Sequence, residues 1–167
     1  PKKTFEIDDF AGRIKFLEDV KAKGNELYAQ GKFDLAFKEY RRGNEVAKGF
    51  PKVLVSSMSQ DQKNVLTEYL INLKNNAVMA LIKQKEFMEA KKWVDEVLTL
   101  APENVKGLYR KGLCLKAMGE YDQAIETISK CMELTSDSKK DCFNLISSCQ
   151  RLKANRDIQE KNKYSKI

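Results

Sequence analysis

Apolar residues recur every three or four positions along most of the chain, which is the spacing of one face of an amphipathic helix. The pattern predicts seven helices, roughly at residues 8–30, 33–49, 61–85, 87–100, 103–118, 121–134 and from 137 onward. Residues 49–64 contain Gly49-Phe50-Pro51 and a polar serine-rich stretch, so we predict a loop there. Residues 53–55 form the only strand-like run, and it is too short to build a sheet. The pattern therefore predicts an all-α fold.

Three segments resemble one another: GKFDLAFKEY at 31–40, KEFMEAKKWV at 85–94 and GEYDQAIETI at 119–128. Each has an aromatic residue followed three positions later by an alanine, which is Ala36, Ala90 or Ala124. The last two alanines are 34 residues apart, and the first two are 54 apart, which is the same period with 20 residues inserted. A constant period is typical of stacked helix–turn–helix repeats, each of which buries the apolar side of its neighbour.

The last predicted helix has a single apolar stripe, formed by Cys142, Leu145, Ile146, Cys149 and Leu152. Terminal repeats need a cap with one solvated face, and this stripe suits such a cap. The apolar spacing fades beyond residue 153, and residues 139–167 hold eight Lys or Arg against three Asp or Glu. Two interpretations stay open for this basic end: a solvated helical extension, or a contact with an acidic partner, including a calmodulin-like one.

The composition limits the classes of function. With 42% hydrophobic and 33% charged residues the chain suits a soluble domain, and no apolar run approaches the ~18 residues of a spanning helix. The net charge of +7 permits an acidic partner. Nucleic acid is not expected, because the basic excess lies at the C-terminal end without interleaved aromatic residues. The complete absence of histidine removes histidine-based catalysis and metal ligation.

The four cysteines are expected to be reduced thiols that act as small apolar residues: Cys114, Cys131, Cys142 and Cys149. None belongs to a C-x-x-C pair, so no zinc site is predicted, and no cofactor is expected. No secretory signal precedes them, which favours the cytoplasm, with the nucleus as a further possibility. Because the chain begins at Pro1 with a basic stretch, we expect a piece of a longer protein with an upstream domain.

The three segments look like tetratricopeptide repeats. More narrowly, residues of about 13–135 resemble the repeat domain of FKBP-type immunophilin co-chaperones, with a looser match in the last helix. The resemblance is carried by four blocks: VKAKGNELYAQGKFDLAFKEY, NLKNNAVMALIKQKEFMEA after the long insertion, NVKGLYRKGLCLKAMGEYDQAI and the final KNKYSKI. It implies one domain, a right-handed superhelix of three helix–turn–helix repeats at about 17–50, 70–102 and 104–136, with a capping helix at about 137–164. Two positions depart from the family pattern: Val78 replaces a small residue, and Gly43 replaces an alanine, which costs a helix interior ~1 kcal/mol.

The family resemblance also implies a binding site. Members of the carboxylate-clamp class hold the C-terminus of a chaperone with five polar residues from the first helices of the repeats. The positions that match here, with a further basic one at 83, are Lys21, Asn25, Asn76, Lys83, Lys106 and Arg110. The implied ligand is the Glu-Glu-Val-Asp tail of heat shock protein 90, or that of heat shock protein 70.

By the same resemblance, each residue has a role. Lys21, Asn25 and Asn76 should hold the terminal α-carboxylate. Lys106 should take the side chain of the last Asp, and Arg110 and Lys83 should help along the upstream peptide.

Helix geometry is consistent with this clamp. Lys21 and Asn25 are four residues apart, as are Lys106 and Arg110, so each pair projects from one face of its helix. Stacked repeats align their first helices along a concave wall, where we expect the five side chains to converge. A C-terminal Asp offers two carboxylates, and charge-assisted hydrogen bonds to them are roughly twice as strong as neutral ones. Such a site would discriminate a free C-terminus from an internal acidic segment.

Two alternatives stay open. The full protein could be a peptidyl-prolyl isomerase of which this chain is the targeting half. The chain itself is not expected to be an enzyme, because no nucleophile–base pair can be assembled without histidine and no glycine-rich phosphate loop is present. The other alternative is a scaffold that binds a partner without a clamp.

Overall fold

The computed structural model describes residues 9–166, which contain eight helices and no strand. The helices are α1 (Phe10–Ala29), α2 (Phe33–Lys48), α3 (Lys52–Ser57), α4 (Gln60–Lys83), α5 (Phe87–Leu100), α6 (Val105–Ala117), α7 (Tyr121–Leu134) and α8 (Lys139–Tyr164). The all-α prediction is confirmed, and seven of the helices match the predicted ones to within three residues at the ends that the structure describes. The basic stretch at residues 1–3 lies outside the described residues.

The predicted loop at residues 49–64 is the one wrong element. It contains the short helix α3, and the run read as strand-like is helical. Pro51 precedes the first turn, and the hydroxyls of Ser56 and Ser57 donate to carbonyl oxygens at positions 52 and 54. Phe50 and Met58, both 7% exposed, bury the two ends of the insertion. Local hydrogen bonding at a turn thus overrides the strand propensity of three β-branched or aliphatic residues.

The polar residues around each helix start explain where the helices begin. Ser59 accepts from the backbone N–H of Gln62, whose side chain accepts in turn from the N–H of Ser59, so α4 opens with a capping box. Asp9 and Asn104 accept in the same way from the N–H three residues ahead at the starts of α1 and α6.

The turn before the second helix of each repeated segment needs a left-handed backbone. Gly31 and Gly119 have φ of 76° and 78°, and Lys85, at the same place in the middle segment, has φ of 61°. Glycine adopts this conformation without cost, whereas a lysine there is strained by roughly 1–2 kcal/mol.

The structure falls into two compact units, the first ending at Gln84 and the second beginning at Lys85. In the first unit α1 packs on α2, α2 on α4, and α1 contacts α4. The repeated Ala36 is fully buried there. Gly43 is buried as well, and a Cβ at this position would lie 2.9 Å from Cγ1 of Val20 and 3.2 Å from Cδ1 of Leu73. Glycine replaces the family alanine because α2 approaches its neighbours too closely for a methyl group.

In the second unit α5 packs on α6, α6 on α7, and α7 on α8. Ala90 and Ala124 are fully buried, as the repeat pattern predicts. Four of the five residues of the predicted stripe on α8 lie in the core of this unit: Cys142, Leu145 and Cys149 are buried, and Ile146 packs beside them, whereas Leu152 is half-buried outside that core. All four cysteines are free and buried. Among the helices of residues 9–166, none combines the length and the apolar character needed to cross a membrane.

Candidate functional site

The side chains of Asn25 on α1 and Asn76 on α4 are hydrogen-bonded to each other, with Nδ2 of Asn76 donating to Oδ1 of Asn25 at 3.2 Å. Two helical turns earlier on both helices, the hydroxyl of Tyr69 donates to Oε1 of Glu18 at 2.9 Å. Both bonds join residues 51 positions apart. Since the two bonds are seven residues apart along each helix, α1 and α4 run parallel and in register. The first helices of two successive repeats therefore share one polar surface.

A tyrosine from the second helix supports this pair of amides. The hydroxyl of Tyr40 on α2 donates to the same Oδ1 of Asn25 at 2.7 Å. Tyr40 is only 2% exposed, and burial raises the pKa of its hydroxyl to about 12. Its ring lies against Gly24, where a Cβ would be 2.8 Å from Cδ1 of the ring and closer still to Cε1. The glycine before Asn25 is thus what allows the tyrosine to reach the amide.

The two lysines predicted for this unit lie on the same helices as the amides. Lys21 is half-buried and one turn before Asn25 on α1, and Lys83 is exposed at the last position of α4, two turns after Asn76. A cation in the last turn of a helix is favoured by the helix dipole, so Lys83 also has a structural explanation. Lys21, in the middle of α1, does not.

The remaining two predicted residues lie in the second unit, both on α6. Lys106 is exposed in the first turn, and Arg110 is half-buried one turn later, so they project from one face. No acidic residue lies in the first turn of α6, although a helix N-terminus favours anions. A cation at this end opposes the helix dipole by roughly 0.3–1 kcal/mol, so Lys106 is not there to stabilise the helix. The start of α6 is a local positive site.

Sequence reasoning missed Tyr40. A signal for it is present in the sequence, because a glycine inside a predicted helix can mark a close approach of two helices, and the residue that lies against Gly24 is this tyrosine. A periodic pattern shows that a side chain is buried but not where its polar end goes.

One cavity lies in the second unit. It has a volume of about 460 Å³ and is bordered by Leu98, Leu108 and Leu115, with Lys111 and Lys130 at its rim. None of the six predicted site residues lines it.

Residues 105–138 match the family model described as tetratricopeptide repeat. The fold is that of the C-terminal tetratricopeptide-repeat domain of an FK506-binding protein from Plasmodium falciparum, which is 21% identical, with a TM-score of 0.76 over 89% of this chain and 95% of that one. The chain therefore has the fold of tetratricopeptide-repeat domains, and residues 105–138 match the repeat itself. A second structure with this repeat fold is the first such domain of Spaghetti (RPAP3) bound to the HSP90 peptide SRMEEVD, 20% identical with a TM-score of 0.67 over 84% of this chain and 94% of that one.

The chain also has curated relatives of greater length. It is 29% identical over 124 residues to the peptidyl-prolyl cis-trans isomerase PASTICCINO1 of Arabidopsis thaliana, covering 74% of this chain and 19% of the relative. It is 27% identical over 158 residues to FK506-binding protein 59 of Drosophila melanogaster, covering 93% of this chain and 34% of the relative. The chain thus spans about a third or less of the length of these relatives.

Proposed function

We propose that the chain binds the free C-terminal end of a heat shock protein 90 polypeptide, Glu-Glu-Val-Asp, through a two-carboxylate clamp. The observation that carries this proposal is the hydrogen bond between Asn25 and Asn76, at 3.2 Å. It brings two neutral donors from successive repeats to one point, with Lys21 one turn away on α1. Neutral amides add donors without adding repulsion between cations, which suits an α-carboxylate that must be held closely.

In this proposal, each unit contributes its own donor set. Lys21, Asn25 and Asn76 bind the α-carboxylate, and Lys106 at the positive start of α6 binds the side chain of the last Asp. Arg110 and Lys83 contact the upstream acidic residues. Lysine is a point charge and arginine a planar fork. The six side chains can therefore bind both the terminal carboxylate of the peptide and the acidic side chains that precede it. The proposal is supported by the HSP90 peptide bound to the Spaghetti domain of the same fold.

The proposal is tested by calorimetric titration with Met-Glu-Glu-Val-Asp, its C-terminal amide and the corresponding tail of heat shock protein 70. Binding should be roughly micromolar, because a short peptide buries little area and loses conformational freedom. The amide should bind more weakly, because it lacks one charged acceptor. A stronger response to the heat shock protein 70 tail would keep the clamp and change the partner. No binding to either free-acid peptide would reject the proposal.

Charge reversals provide a second test. Lys106→Glu and Arg110→Glu should each abolish capture of the chaperone while the helical circular dichroism stays unchanged. The matched control is Lys130→Glu, an exposed residue of the same unit and the same charge change, outside the predicted site. Undiminished capture by both site variants, or an equal loss in the control, would contradict the clamp.

The similarity to PASTICCINO1, a peptidyl-prolyl isomerase, favours a second candidate for the whole protein: this chain directs an isomerase domain to a chaperone, in the cytoplasm or the nucleus. This segment is a repeat domain and supplies no catalytic group. A proline-isomerisation assay on the chain should read at background, while an extended chain that includes upstream sequence should show activity.

A further inference from the structure

The carboxamide of Asn25 has a defined orientation. Its Oδ1 accepts two hydrogen bonds, one from the hydroxyl of Tyr40 at 2.7 Å and one from Nδ2 of Asn76 at 3.2 Å. A carbonyl oxygen has two lone pairs, so both acceptor sites of Asn25 are used. Among the described residues, neither N–H of its Nδ2 has a partner, and the residue is exposed. The amide therefore presents two donors to the surface and no acceptor.

The hydroxyl of Tyr40 and the amide of Asn76 enforce this orientation together. Turning the Asn25 amide round would place its NH₂ group against that of Asn76, and it would also leave the proton of the buried Tyr40 hydroxyl without the oxygen that now accepts it. Tyr40 itself cannot move away, because it is buried and its ring is held against Gly24. The buried ring of Tyr40 thus places its hydroxyl against the side of the Asn25 amide that faces the protein interior.

We propose that Tyr40 is a positioning residue, whose hydroxyl fixes the Asn25 amide as a donor and thereby makes the site select a carboxylate over a carboxamide chain end. A carboxylate has only acceptors and matches a surface of N–H groups. A carboxamide chain end has N–H groups of its own, which need an acceptor. The Oδ1 of Asn25 is not available to them, because it already accepts two hydrogen bonds. Without the Tyr40 hydroxyl one of the two restraints on the Asn25 amide is lost, so the amide can rotate more readily and offer Oδ1 to such a ligand. This inference rests on the proposed function for its ligand but not for its geometry.

The experiment compares Tyr40→Phe with the native chain, using Met-Glu-Glu-Val-Asp and its C-terminal amide in calorimetric titrations. The native chain should prefer the acid, and Tyr40→Phe should reduce the ratio of the two affinities about five-fold, the value of one neutral hydrogen bond. The matched control is Tyr69→Phe, which also removes a hydroxyl bonded between elements of the first unit, but to Glu18. Its ratio should equal that of the native chain. An unchanged ratio in Tyr40→Phe, or an equal fall in Tyr69→Phe, would overturn the inference.

A second measurement needs no peptide. In a double-mutant cycle of urea unfolding with Tyr40→Phe and Asn25→Ala, the two substitutions should be coupled, because each removes the same hydrogen bond. Asn25→Asp should keep a melting temperature close to that of the native chain, since a carboxylate oxygen accepts both internal bonds. Zero coupling, or a large loss of stability in Asn25→Asp, would overturn the orientation of the amide. If the native chain binds neither peptide but the coupling is present, the proposed function is wrong and the orientation of the Asn25 amide is confirmed. The role of Tyr40 in selectivity is then rejected together with the proposed function.

Discussion

The guanidinium of Arg156 on α8 lies over the ring of Tyr121 at the start of α7, with its Cζ 4.8 Å from the ring centroid. The same guanidinium donates from Nη1 to the carbonyl oxygen of Gly119 at 2.8 Å. One turn earlier on α8, Nζ of Lys153 lies 2.7 Å from Oδ1 of Asp122. These polar contacts continue the attachment of α8 to the rest of its unit after its apolar stripe has ended.

Arg156→Ala is expected to lower the free energy of unfolding by about 1 kcal/mol, since an exposed cation–π contact contributes about 0.5–1 kcal/mol and the bond to the Gly119 carbonyl is lost as well. Urea unfolding followed by circular dichroism measures this change. Arg151→Ala, at an exposed position one turn before these contacts, removes the same charge and serves as the control. Equal effects of the two substitutions would show that the contacts of Arg156 contribute nothing specific.

Gly112 allows α6 and α7 to approach closely. It is buried, and a Cβ on it would collide with Cδ1 and Cγ1 of Ile128. Gly112→Ala should therefore destabilise the chain by roughly 1–3 kcal/mol, although alanine is the better helix former by ~1 kcal/mol. Thermal and urea unfolding of the variant test this prediction. A more stable variant would mean that the two helices separate easily.

The same contact predicts a coupling. Ile128→Ala removes both atoms that the new methyl group would meet, at the cost of a cavity. In the double variant Gly112→Ala/Ile128→Ala the added methyl group enters that cavity, so the combined loss should be smaller than the sum of the single losses. If the losses of unfolding free energy are additive, the destabilisation by Gly112→Ala does not arise from contact with Ile128.

Asp95 on α5 predicts a dependence of stability on pH. Burial alone would raise the pKa of this carboxyl, but hydrogen bonds from Lys111 and Lys91, each with N–O of 2.8 Å, outweigh it and lower the pKa below its ordinary 3.8. Because the folded state holds the carboxylate more acidic than the unfolded state does, the stabilisation is present above about pH 4 and is lost as the pH falls through the folded pKa. Asp95→Asn should be less stable at pH 7, by under about 1 kcal/mol because the pair is partly exposed and screened.

The difference between the native chain and Asp95→Asn should shrink as the pH is lowered from 7 towards 3, in urea unfolding at constant ionic strength. Glu126→Gln, an exposed carboxylate in the same unit, serves as the control and should show no such trend. If the difference in free energy of unfolding between the native chain and Asp95→Asn stays constant with pH, Lys91 and Lys111 do not stabilise the folded carboxylate.

The fold was largely readable from the sequence because burial in it is periodic. The alanines at 36, 90 and 124 mark the places where two helices cross, and all three are fully buried. What periodicity could not reveal was α3, since six residues are too few to show a helical repeat and the hydroxyls of Ser56 and Ser57 decide the local geometry. The sequence also could not explain Gly43. It shows only that a weak helix former occupies the position, whereas the structure shows that Val20 and Leu73 leave little room for a Cβ there.

The site was readable to a lesser extent. Residue types and spacing indicated that Asn25 and Asn76 belong to one surface, and the hydrogen bond between them agrees with that interpretation. The roles of the six residues towards a ligand stay predictions. The orientation of an amide depends on a partner fifteen residues away, Tyr40, and no spacing rule for a single helix contains that information.

The four thiols should be almost unreactive in the folded chain. Burial raises the pKa of Cys131 to about 12, helped by its hydrogen bond with Cys142. Burial also raises the pKa of Cys114 to about 11 and raises that of Cys149. Since the thiolate is the reactive form, an aromatic disulfide reagent at pH 8 should react slowly. Its rate should level off at the opening rate of the fold once the reagent is concentrated enough to modify each opened molecule before it recloses. In concentrated guanidinium chloride all four cysteines should react at once. Rapid reaction of a cysteine in the folded chain, at a rate proportional to reagent concentration, would show that its sulfur reaches solvent without opening of the fold. Assigning that sulfur by peptide mapping would locate the part of the second unit that is less tightly packed.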